Sequence, residues 1–265
     1  MKNKFEELKK YLLKIEKQGI CLAFSGGIDS SLLLYLCKDL NVHAITFKSI
    51  FQTEEEIQET INFCQKYNIK HKIIEFFPLN NPLIKANPID RCYFCKKYFF
   101  IELIKYSKEN NLNYIIDGTN FDDTKTYRPG IKALKELGII SPFAVFKIKK
   151  DEIKNYLKEL NIDIYNKVSK PCIATRFEYN KEFSEKNIEM VKKGEKILKQ
   201  YGFINNRLRF HNNIARIEID KNKFNNFINH SEKITEELKN IGFKYVTLDV
   251  EGIRSGSMDI DINGY

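Results

Sequence analysis

The sequence has no hydrophobic run close to the roughly 20 residues that a membrane-spanning helix needs, so we expect no contact with a membrane. Residues 1–19 show a charged, amphipathic helical pattern without the apolar centre or cleavage site of a signal peptide, which predicts a cytoplasmic protein. The four histidines have no spacing typical of metal ligands, and no internal repeat is visible. A concentrated basic stripe or arm, which nucleic-acid binders often carry, is also missing.

Basic residues nevertheless outnumber acidic ones, and the net charge is +9. Most are lysines scattered over helical segments that also carry acids, as at Lys149, Lys150 and Lys154 beside Asp151 and Glu152. This pattern predicts ordinary solvent-exposed helix faces, so nucleic acid is not the expected partner. A basic protein also suits a small anionic substrate such as a nucleotide. Charge alone does not choose between these uses.

Short apolar runs alternate with helical patterns through the first two thirds of the chain. The predicted strands are 20–24, 42–47, 71–76 and 114–117, and the predicted helices are 30–40, 54–67, 95–110, 131–137 and 149–160. The Pro- and Asn-rich stretch 78–88 is predicted as a loop. This alternation predicts an α/β fold with a doubly wound parallel sheet, whose ligands bind at the carboxyl ends of the strands.

The pattern changes near residue 177. A long helix at 184–201 precedes two alternating strands, 207–211 and 214–219, and Asn212-Asn213 between them is typical of a hairpin. A last strand is predicted at 245–250. The sequence therefore predicts two domains, a nucleotide-binding domain at 1–176 and a smaller α+β domain at 177–265.

A glycine-rich segment, Ser-Gly-Gly-Ile-Asp-Ser-Ser at 25–31, follows the first strand and opens a helix. Two glycines let the backbone approach a phosphate closely, and the start of a helix favours an anion. The segment resembles the PP-loop of the ATP-pyrophosphatase superfamily, which implies cleavage of ATP between its α and β phosphates. Asp29 is then the expected Mg²⁺ ligand. The predicted phosphate-binding residues are Ser25, Gly26, Gly27, Asp29, Ser30 and Ser31.

A second polar motif follows the strand at 114–117. Acidic residues beside a glycine could be simple turn formers, but their place at a strand's carboxyl end indicates a magnesium-pyrophosphate role. The guanidinium group of Arg128 is a candidate for neutralising phosphate charge. The candidate residues are Asp117, Gly118, Thr119, Asn120 and Arg128.

The cysteines divide into two groups. Three lie inside apolar segments and are predicted to be small buried hydrophobic residues: Cys21, Cys37 and Cys64. Cys92 and Cys95 form a CxxC, and Cys172 lies among polar residues further along. A CxxC could be a redox pair or half of a zinc site, but no second pair completes a four-ligand zinc site. Three thiolates suit a 4Fe–4S cluster with one open iron, which could bind an extra sulfide.

Several stretches resemble the LarE family of ATP-dependent sulfur insertases, which act in nickel-pincer cofactor synthesis. They are AFSGGIDSSLL, RCYFCKKYFF, IIDGTNFDD with YRPG, SPF, KPCIATRF, RLRFHNNIARIE and LDVEGIRSGSMD. The resemblance implies that ATP adenylates a carboxylate of pyridinium-3,5-biscarboxylate mononucleotide, after which sulfur displaces AMP. It implies either a cluster held by Cys92, Cys95 and Cys172 or a sacrificed Cys172 as the sulfur source, and the presence of all three favours the cluster. A homo-oligomer, and a sulfide source or cysteine desulfurase as partner, are compatible with it.

The resemblance also implies roles in the C-terminal part. Guanidinium groups match phosphate and carboxylate, so Arg176, Arg207 and Arg209 are the predicted substrate-binding residues. Glu195 and Glu218 are the predicted catalytic acids, with Asp29 and Cys172. A second anion site is predicted at Arg254 with residues 255–257. Surface salt bridges are the simpler alternative for all these charges.

Three rival functions remain open at this point. A tRNA thiolase shares the PP-loop and cluster chemistry but often carries extra RNA-binding modules or zinc cysteines, which are not evident here. An ammonia-dependent amide ligase does not need the three cysteines. A non-catalytic nucleotide- or metal-binding module does not need Asp29 or the second motif.

Overall fold

The computed structural model describes residues 2–125, 128–167, 171–254 and 256–259. The chain forms two compact units, each discontinuous in sequence. The first unit is Met1–Pro78 with Asp90–Ser169, and the second is Leu79–Ile89 with Lys170–Tyr265. The units differ from the division at 176/177 predicted from sequence, chiefly because a segment from the first third of the chain belongs with the C-terminal part.

The helices of the first unit are α1 (Lys2–Ile15), α2 (Ile28–Leu36), α3 (Glu54–Lys66), α5 (Arg91–Glu109), α6 (Pro129–Glu136), α7 (Pro142–Val145) and α8 (Lys150–Glu159). Those of the second unit are α4 (Pro82–Lys85), α9 (Glu185–Gln200) and α10 (Phe224–Asn240). Short 3₁₀ turns lie at Glu16–Gln18, Pro78–Asn80, Asp122–Lys125, Asp163–Asn166, Ile173–Arg176 and Lys221–Lys223. In the described part of the chain, no helix is both long enough and apolar enough to cross a bilayer.

The first unit is built on a parallel sheet of four strands in the order β3-β2-β1-β4. Their bounds are β1 (Ile20–Ala23), β2 (Val42–Lys48), β3 (Lys70–Glu75) and β4 (Tyr114–Asp117). Alternate residues of β1 enter cores on opposite faces, since Ile20 and Leu22 pack with α1, α2 and α8, whereas Cys21 packs with α5 and α6. This is the α/β fold with a parallel sheet predicted from the sequence.

The order of the strands places the glycine-rich loop beside the motif that begins at Asp117. The chain runs from β1 to β2 and β3 on one side, and β4 pairs with the other side of β1, with Ala23 opposite Asp117. The order reverses between β1 and β4, and ligands in such sheets bind at this reversal, outside the carboxyl ends of the strands. The glycine-rich loop and the Asp117 motif both begin there.

The second unit contains a smaller mixed sheet in the order β5-β6-β7, with strands Asn206–His211, Ile214–Ile219 and Tyr245–Leu248. The first two are antiparallel and the last pair is parallel. Asn212 and Asn213 both have positive φ, 47° and 71°, which a two-residue hairpin turn requires. The predicted hairpin and the smaller α+β fold are therefore present.

The segment 79–89 joins the second unit through backbone hydrogen bonds. The carbonyl of Asn87 accepts from Asn180 N at 2.8 Å, and that of Lys85 accepts from Phe183 N at 2.9 Å. Asn87 is fully buried, and its Nδ2 donates to Glu178 O at 2.7 Å. The loop predicted at 78–88 is thus an ordered segment that contains α4. Its Pro and Asn content predicted a loop, and composition alone does not indicate these long-range contacts.

Candidate active site

The glycine-rich loop connects β1 to α2 in the predicted manner. Gly26 has a φ of 68°, and a Cβ there would lie 2.9 Å from the Thr60 methyl group, so both conformation and space favour glycine. Gly27 caps α2. Ser30 Oγ lies 3.0 Å from Ser25 Oγ and donates to Gly27 O at 3.1 Å. The loop therefore presents hydroxyl groups beside the start of a helix, an arrangement that suits an anion.

Ser31 and Asp29 each carry a polar oxygen without a well-formed hydrogen bond among the described residues. Ser31 is only 1% exposed, and its Oγ has no partner there. The Oδ1 atom of Asp29 is likewise buried and unsatisfied. Carboxylate oxygens are preferred Mg²⁺ ligands, so the orphaned Oδ1 fits a divalent cation bound with a nucleotide.

Lys150 completes this site, although its sequence pattern predicted a solvent-exposed helix face. Its Nζ lies 2.5 Å from Asp29 Oδ2, and its backbone N–H donates to Asp122 Oδ2 at 3.0 Å. Burial raises the pKa of Asp29 above its usual range, and Lys150 partly opposes this effect. Lys150 therefore reaches from the start of α8 to the acid of the glycine-rich loop.

The motif after β4 is folded around Asp117. This buried carboxylate accepts hydrogen bonds from the Thr119 hydroxyl at 2.6 Å and the Ser141 hydroxyl at 2.5 Å. Lys96 Nζ lies 3.7 Å from it, a contact that sequence analysis did not predict. A Cβ on Gly118 would lie 2.7 Å from the Ser30 backbone nitrogen, so this glycine allows the two motifs to touch.

The predicted Asn120 and Arg128 both contact Asp123. Asn120 Oδ1 accepts hydrogen bonds from the backbone N–H groups of Asp122 and Asp123, at 2.9 and 3.1 Å. Arg128 Nη1 lies 2.9 Å from Asp123 Oδ1, and its side chain is more than half exposed. The predicted phosphate-binding charge is therefore near the loop of Asp117 but is paired with an acid in this structure.

The two groups of cysteines differ in exposure as the sequence predicts. Cys21, Cys37 and Cys64 are buried, and burial raises the pKa of Cys21 and of Cys64 to about 12. In contrast, Cys92 is exposed and Cys95 is half-buried. Helix α5 begins at Arg91, earlier than predicted, so the two thiols lie three residues apart on one helix face.

Cys172 belongs to the second unit, where it is exposed and precedes the 3₁₀ turn Ile173–Arg176. Within the described part of either unit, no three His, Cys, Asp or Glu side chains form a ready-made metal site. The paired thiols of α5 and the exposed Cys172 have the donor chemistry that an iron–sulfur cluster requires. A shared three-cysteine site stays a prediction.

Two buried arginines hold the turn that follows Cys172. Thr175 Oγ1 donates to Cys172 O at 2.8 Å, and Arg209 Nη1 donates to Thr175 O at 2.8 Å. Arg176 Nη1 donates to Thr175 Oγ1 at 2.8 Å and to Pro171 O at 3.3 Å. The turn around Cys172 is therefore hydrogen-bonded to two guanidinium groups.

Each of these arginines is paired with one of the predicted catalytic acids. Arg176 Nε lies 2.6 Å from Glu195 Oε1, and Arg209 Nη2 lies 2.8 Å from Glu218 Oε2. The Arg209–Glu218 pair is almost completely buried, and Glu218 also accepts from the Ser257 hydroxyl. The structure thus brings four predicted residues together as two ion pairs beneath the Cys172 turn.

Arg207 differs from these two arginines. It is half-buried, and its Nη1 donates to Arg254 O at 2.7 Å. Burial lowers the pKa of Arg207, and the charges of Arg209 and Arg176 add to this effect. An anion at Arg207 would relieve this repulsion. Arg254 pairs with Asp249 at 3.0 Å, and residue 255 of the predicted second anion site lies outside the described residues.

The geometry of the first unit defines the class of protein. A glycine-rich loop between a parallel strand and a buried helix, opposed by a polar motif from a neighbouring strand, is typical of an ATP-using enzyme of the PP-loop class. In agreement, the NAD synthase family model matches residues 1–87.

Full-length relatives narrow the assignment. An uncharacterised protein of Methanocaldococcus jannaschii is 38% identical over 91% of this chain and 93% of its own length. One of Synechocystis is 33% identical over 98% of both chains. The pyridinium-3,5-bisthiocarboxylic acid mononucleotide synthase of Lactiplantibacillus plantarum is 34% identical over 91% of this chain and 89% of its own length. The chain therefore belongs to the LarE family of these synthases.

Proposed function

We propose that this protein uses ATP to convert a carboxylate of pyridinium-3,5-biscarboxylate mononucleotide into a thiocarboxylate. In the first step a carboxylate oxygen attacks the α-phosphorus of ATP, which forms an acyl adenylate and releases pyrophosphate. In the second step a sulfur nucleophile attacks the acyl carbon, and the C–O bond breaks to release AMP. Adenylation is needed because a carboxylate oxygen is a poor leaving group.

The observation that carries this proposal is the likeness to the Lactiplantibacillus synthase, which extends over nine tenths of the chain. The NAD synthase model, in contrast, matches only residues 1–87. A likeness confined to the nucleotide-binding part would fit any PP-loop ligase equally well. The wider likeness includes the segment of Cys172 and the arginine-rich second unit.

The residues of the first unit have distinct roles in the adenylation step. The N–H groups and hydroxyls of 25–31 bind the phosphates, and Asp29 holds the Mg²⁺ that accompanies them. Lys150 neutralises Asp29 before the nucleotide arrives, and its ammonium can then contact the leaving pyrophosphate. Asp117 orients Thr119 for the same group.

The second unit supplies the substrate-binding charges in this proposal. Arg207 binds the phosphate or a carboxylate of the substrate, because its guanidinium donors are less fully used than those of Arg176 and Arg209. Glu195 and Glu218 act through the arginines with which they form ion pairs. Those arginines donate hydrogen bonds to the turn that follows Cys172.

The proposed sulfur source is a 4Fe–4S cluster held by Cys92, Cys95 and Cys172. When bound, such a cluster supplies a sulfide nucleophile at its open iron. The pair on α5 supports this route because both thiols lie on one accessible helix face. The alternative is loss of sulfur from Cys172 itself, which allows only one turnover.

The reaction is tested with anaerobically purified protein, Mg²⁺, ATP, sulfide and the biscarboxylate mononucleotide. We expect AMP and pyrophosphate in equal amounts, and a product whose mass shows exchange of oxygen for sulfur. Asp29→Asn should abolish pyrophosphate release, whereas Asp39→Asn, at an exposed turn residue beyond the opposite end of α2, should not. Product formation with tRNA, or with ammonia in place of sulfide, would contradict the proposal in favour of a rival.

The cluster is tested separately by iron and acid-labile sulfide analysis of the same preparation. We expect about four irons per chain, lost in Cys92→Ser and retained in the buried control Cys64→Ala. A preparation without iron, in which Cys172 becomes dehydroalanine after one turnover, would support the sacrificial route instead.

A further inference from the structure

The peptide between Gly26 and Gly27 accepts a hydrogen bond from a lysine in a distant part of the chain. Lys167 Nζ donates to the Gly26 carbonyl oxygen at 2.7 Å. The same ammonium group lies 2.5 Å from Glu59 Oε2 on α3. Both partners belong to the first unit, and Lys167 follows its last 3₁₀ turn. Neither residue was among the site residues predicted from the sequence.

This contact determines which way the neighbouring N–H points. A peptide unit is planar and trans, so the carbonyl of Gly26 and the N–H of Gly27 point in opposite directions. With the carbonyl bound to Lys167, the Gly27 N–H is directed toward Ser25 Oγ, 3.4 Å away. Ser25 Oγ in turn lies 3.0 Å from Ser30 Oγ. The N–H therefore faces the hydroxyl groups of the loop.

A peptide between two glycines can rotate without the steric barriers that a Cβ imposes. In the rotated state the Gly26 carbonyl would face the loop hydroxyls and would repel a phosphate. The Lys167 ammonium adds a charge-assisted hydrogen bond that favours the anion-accepting orientation.

We propose that Lys167, held by Glu59, is a positioning residue that keeps the Gly26–Gly27 peptide turned so that its N–H can donate to a nucleotide phosphate. This inference rests on the proposed function only in taking the loop as the ATP phosphate site. It does not depend on the identity of the acceptor substrate or the sulfur source.

Lys167 could alternatively bind the phosphate directly. A substitution of Glu59 distinguishes between these two roles. If Lys167 acts through the peptide, Glu59→Gln releases the ammonium from its anchor and weakens nucleotide binding. If Lys167 contacts the phosphate itself, the same substitution removes a competing anion, so binding is unchanged or tighter. The two roles predict opposite effects of one isosteric substitution.

Binding is measured by calorimetry with α,β-methylene-ATP and Mg²⁺, which avoids turnover. We expect Lys167→Met to weaken binding roughly tenfold, the size expected for loss of one hydrogen bond to a charged group. Glu59→Gln should weaken it by a smaller factor, and Lys167→Arg should restore part of the affinity. The control Lys38→Met removes one positive charge at the opposite end of the sheet and should match the wild type.

A spectrum of protein labelled with ¹⁵N-glycine gives a second measurement that does not require activity. The Gly27 amide signal should shift in Lys167→Met before any nucleotide is added, while glycine signals of the second unit such as Gly194 and Gly242 stay in place. Wild-type affinity and an unmoved Gly27 signal in Lys167→Met would overturn the inference, as would unchanged or tighter binding in Glu59→Gln. Nucleotide binding without any thiocarboxylate product would leave the inference intact and would contradict the proposed function.

Discussion

At the scale of single residues, burial divides the cysteines into reactive and inert groups. The pKa of Cys21 and of Cys64 is raised to about 12, so at pH 8 only about one molecule in 10⁴ carries the thiolate. Iodoacetamide should therefore label Cys92 and Cys172 of chelator-treated native protein and spare the buried thiols until the chain is unfolded. Peptide mass spectrometry measures this directly. Native-state labelling of Cys64 as fast as that of Cys92 would contradict the assignment.

Lys150 provides a second prediction at this scale. Its ammonium group neutralises Asp29, and Lys150→Met leaves a buried carboxylate without that partner. We expect binding of Mg²⁺ with α,β-methylene-ATP to weaken roughly tenfold, as for other charge-assisted contacts, because the proposed function also assigns the ammonium a contact with the phosphates. Lys158→Met, at the exposed far end of α8, is the matched control. Equal affinity in the two variants would rule out a role for Lys150.

Sequence patterns predicted the loop residues of the candidate site but not the lysines that contact them. Ser25 to Ser31 are contiguous, so their order alone indicates a phosphate-binding turn. Lys150 and Lys167 reach the same loop from more than a hundred residues away. Their neighbours in sequence are ordinary helical and turn residues, and only the folded sheet shows which of the many lysines face the loop.

At the scale of the elements, the Arg209–Glu218 pair joins β5 to β6 beneath the Cys172 turn. Arg209 faces Arg216 across the hairpin, and Glu218 lies diagonally across from it. Glu218→Gln leaves a buried guanidinium uncompensated, which should lower the free energy of unfolding by about 3–5 kcal/mol. Urea denaturation measures this loss.

The pair Lys192–Glu189, on the more accessible face of α9, supplies the control for that prediction. Its acid is about half exposed, so Glu189→Gln should change stability by less than about 0.5 kcal/mol. Combining Glu218→Gln with Arg209→Met should recover part of the loss, because the stranded charge is then removed as well. If the double variant were the sum of two large single losses, the stabilising interaction would lie elsewhere.

Elements with strong local signals were predicted closely, and those fixed by distant contacts were not. Helix α9 starts at Glu185 with Ser184 as its cap, as the predicted helix at 184–201 requires. The Asn212-Asn213 hairpin also follows from local turn chemistry. Helix α5, however, begins four residues before the predicted start near Cys95. Asp90, a residue type that commonly caps helices, stands at its N-cap without a side-chain capping hydrogen bond, so the sequence did carry a start signal that the prediction missed.

At the scale of the whole molecule, the two units are interleaved in sequence. Segment 79–89 interrupts the first unit and packs in the second unit. The Pro- and Asn-rich composition of this stretch predicts a loop and does not indicate which unit the segment joins. The hydrogen bonds of Lys85 and Asn87 with the residues near 180 show that the segment packs in the second unit. A fragment that starts at residue 170 should therefore fold less stably than the same fragment joined to 79–89.

The side chain of Ile84 tests this arrangement in the intact protein. Ile84 is 1% exposed, whereas its neighbour Leu83 is 54% exposed. Ile84→Ala removes buried methyl groups and should cost about 2–5 kcal/mol, while Leu83→Ala should have little effect. Hydrogen exchange should accelerate in β5 and β6 but stay unchanged in β1 and β2, because the loss falls on the second unit. Faster exchange in β1 with an unchanged β6 would show that the segment stabilises the nucleotide-binding unit instead.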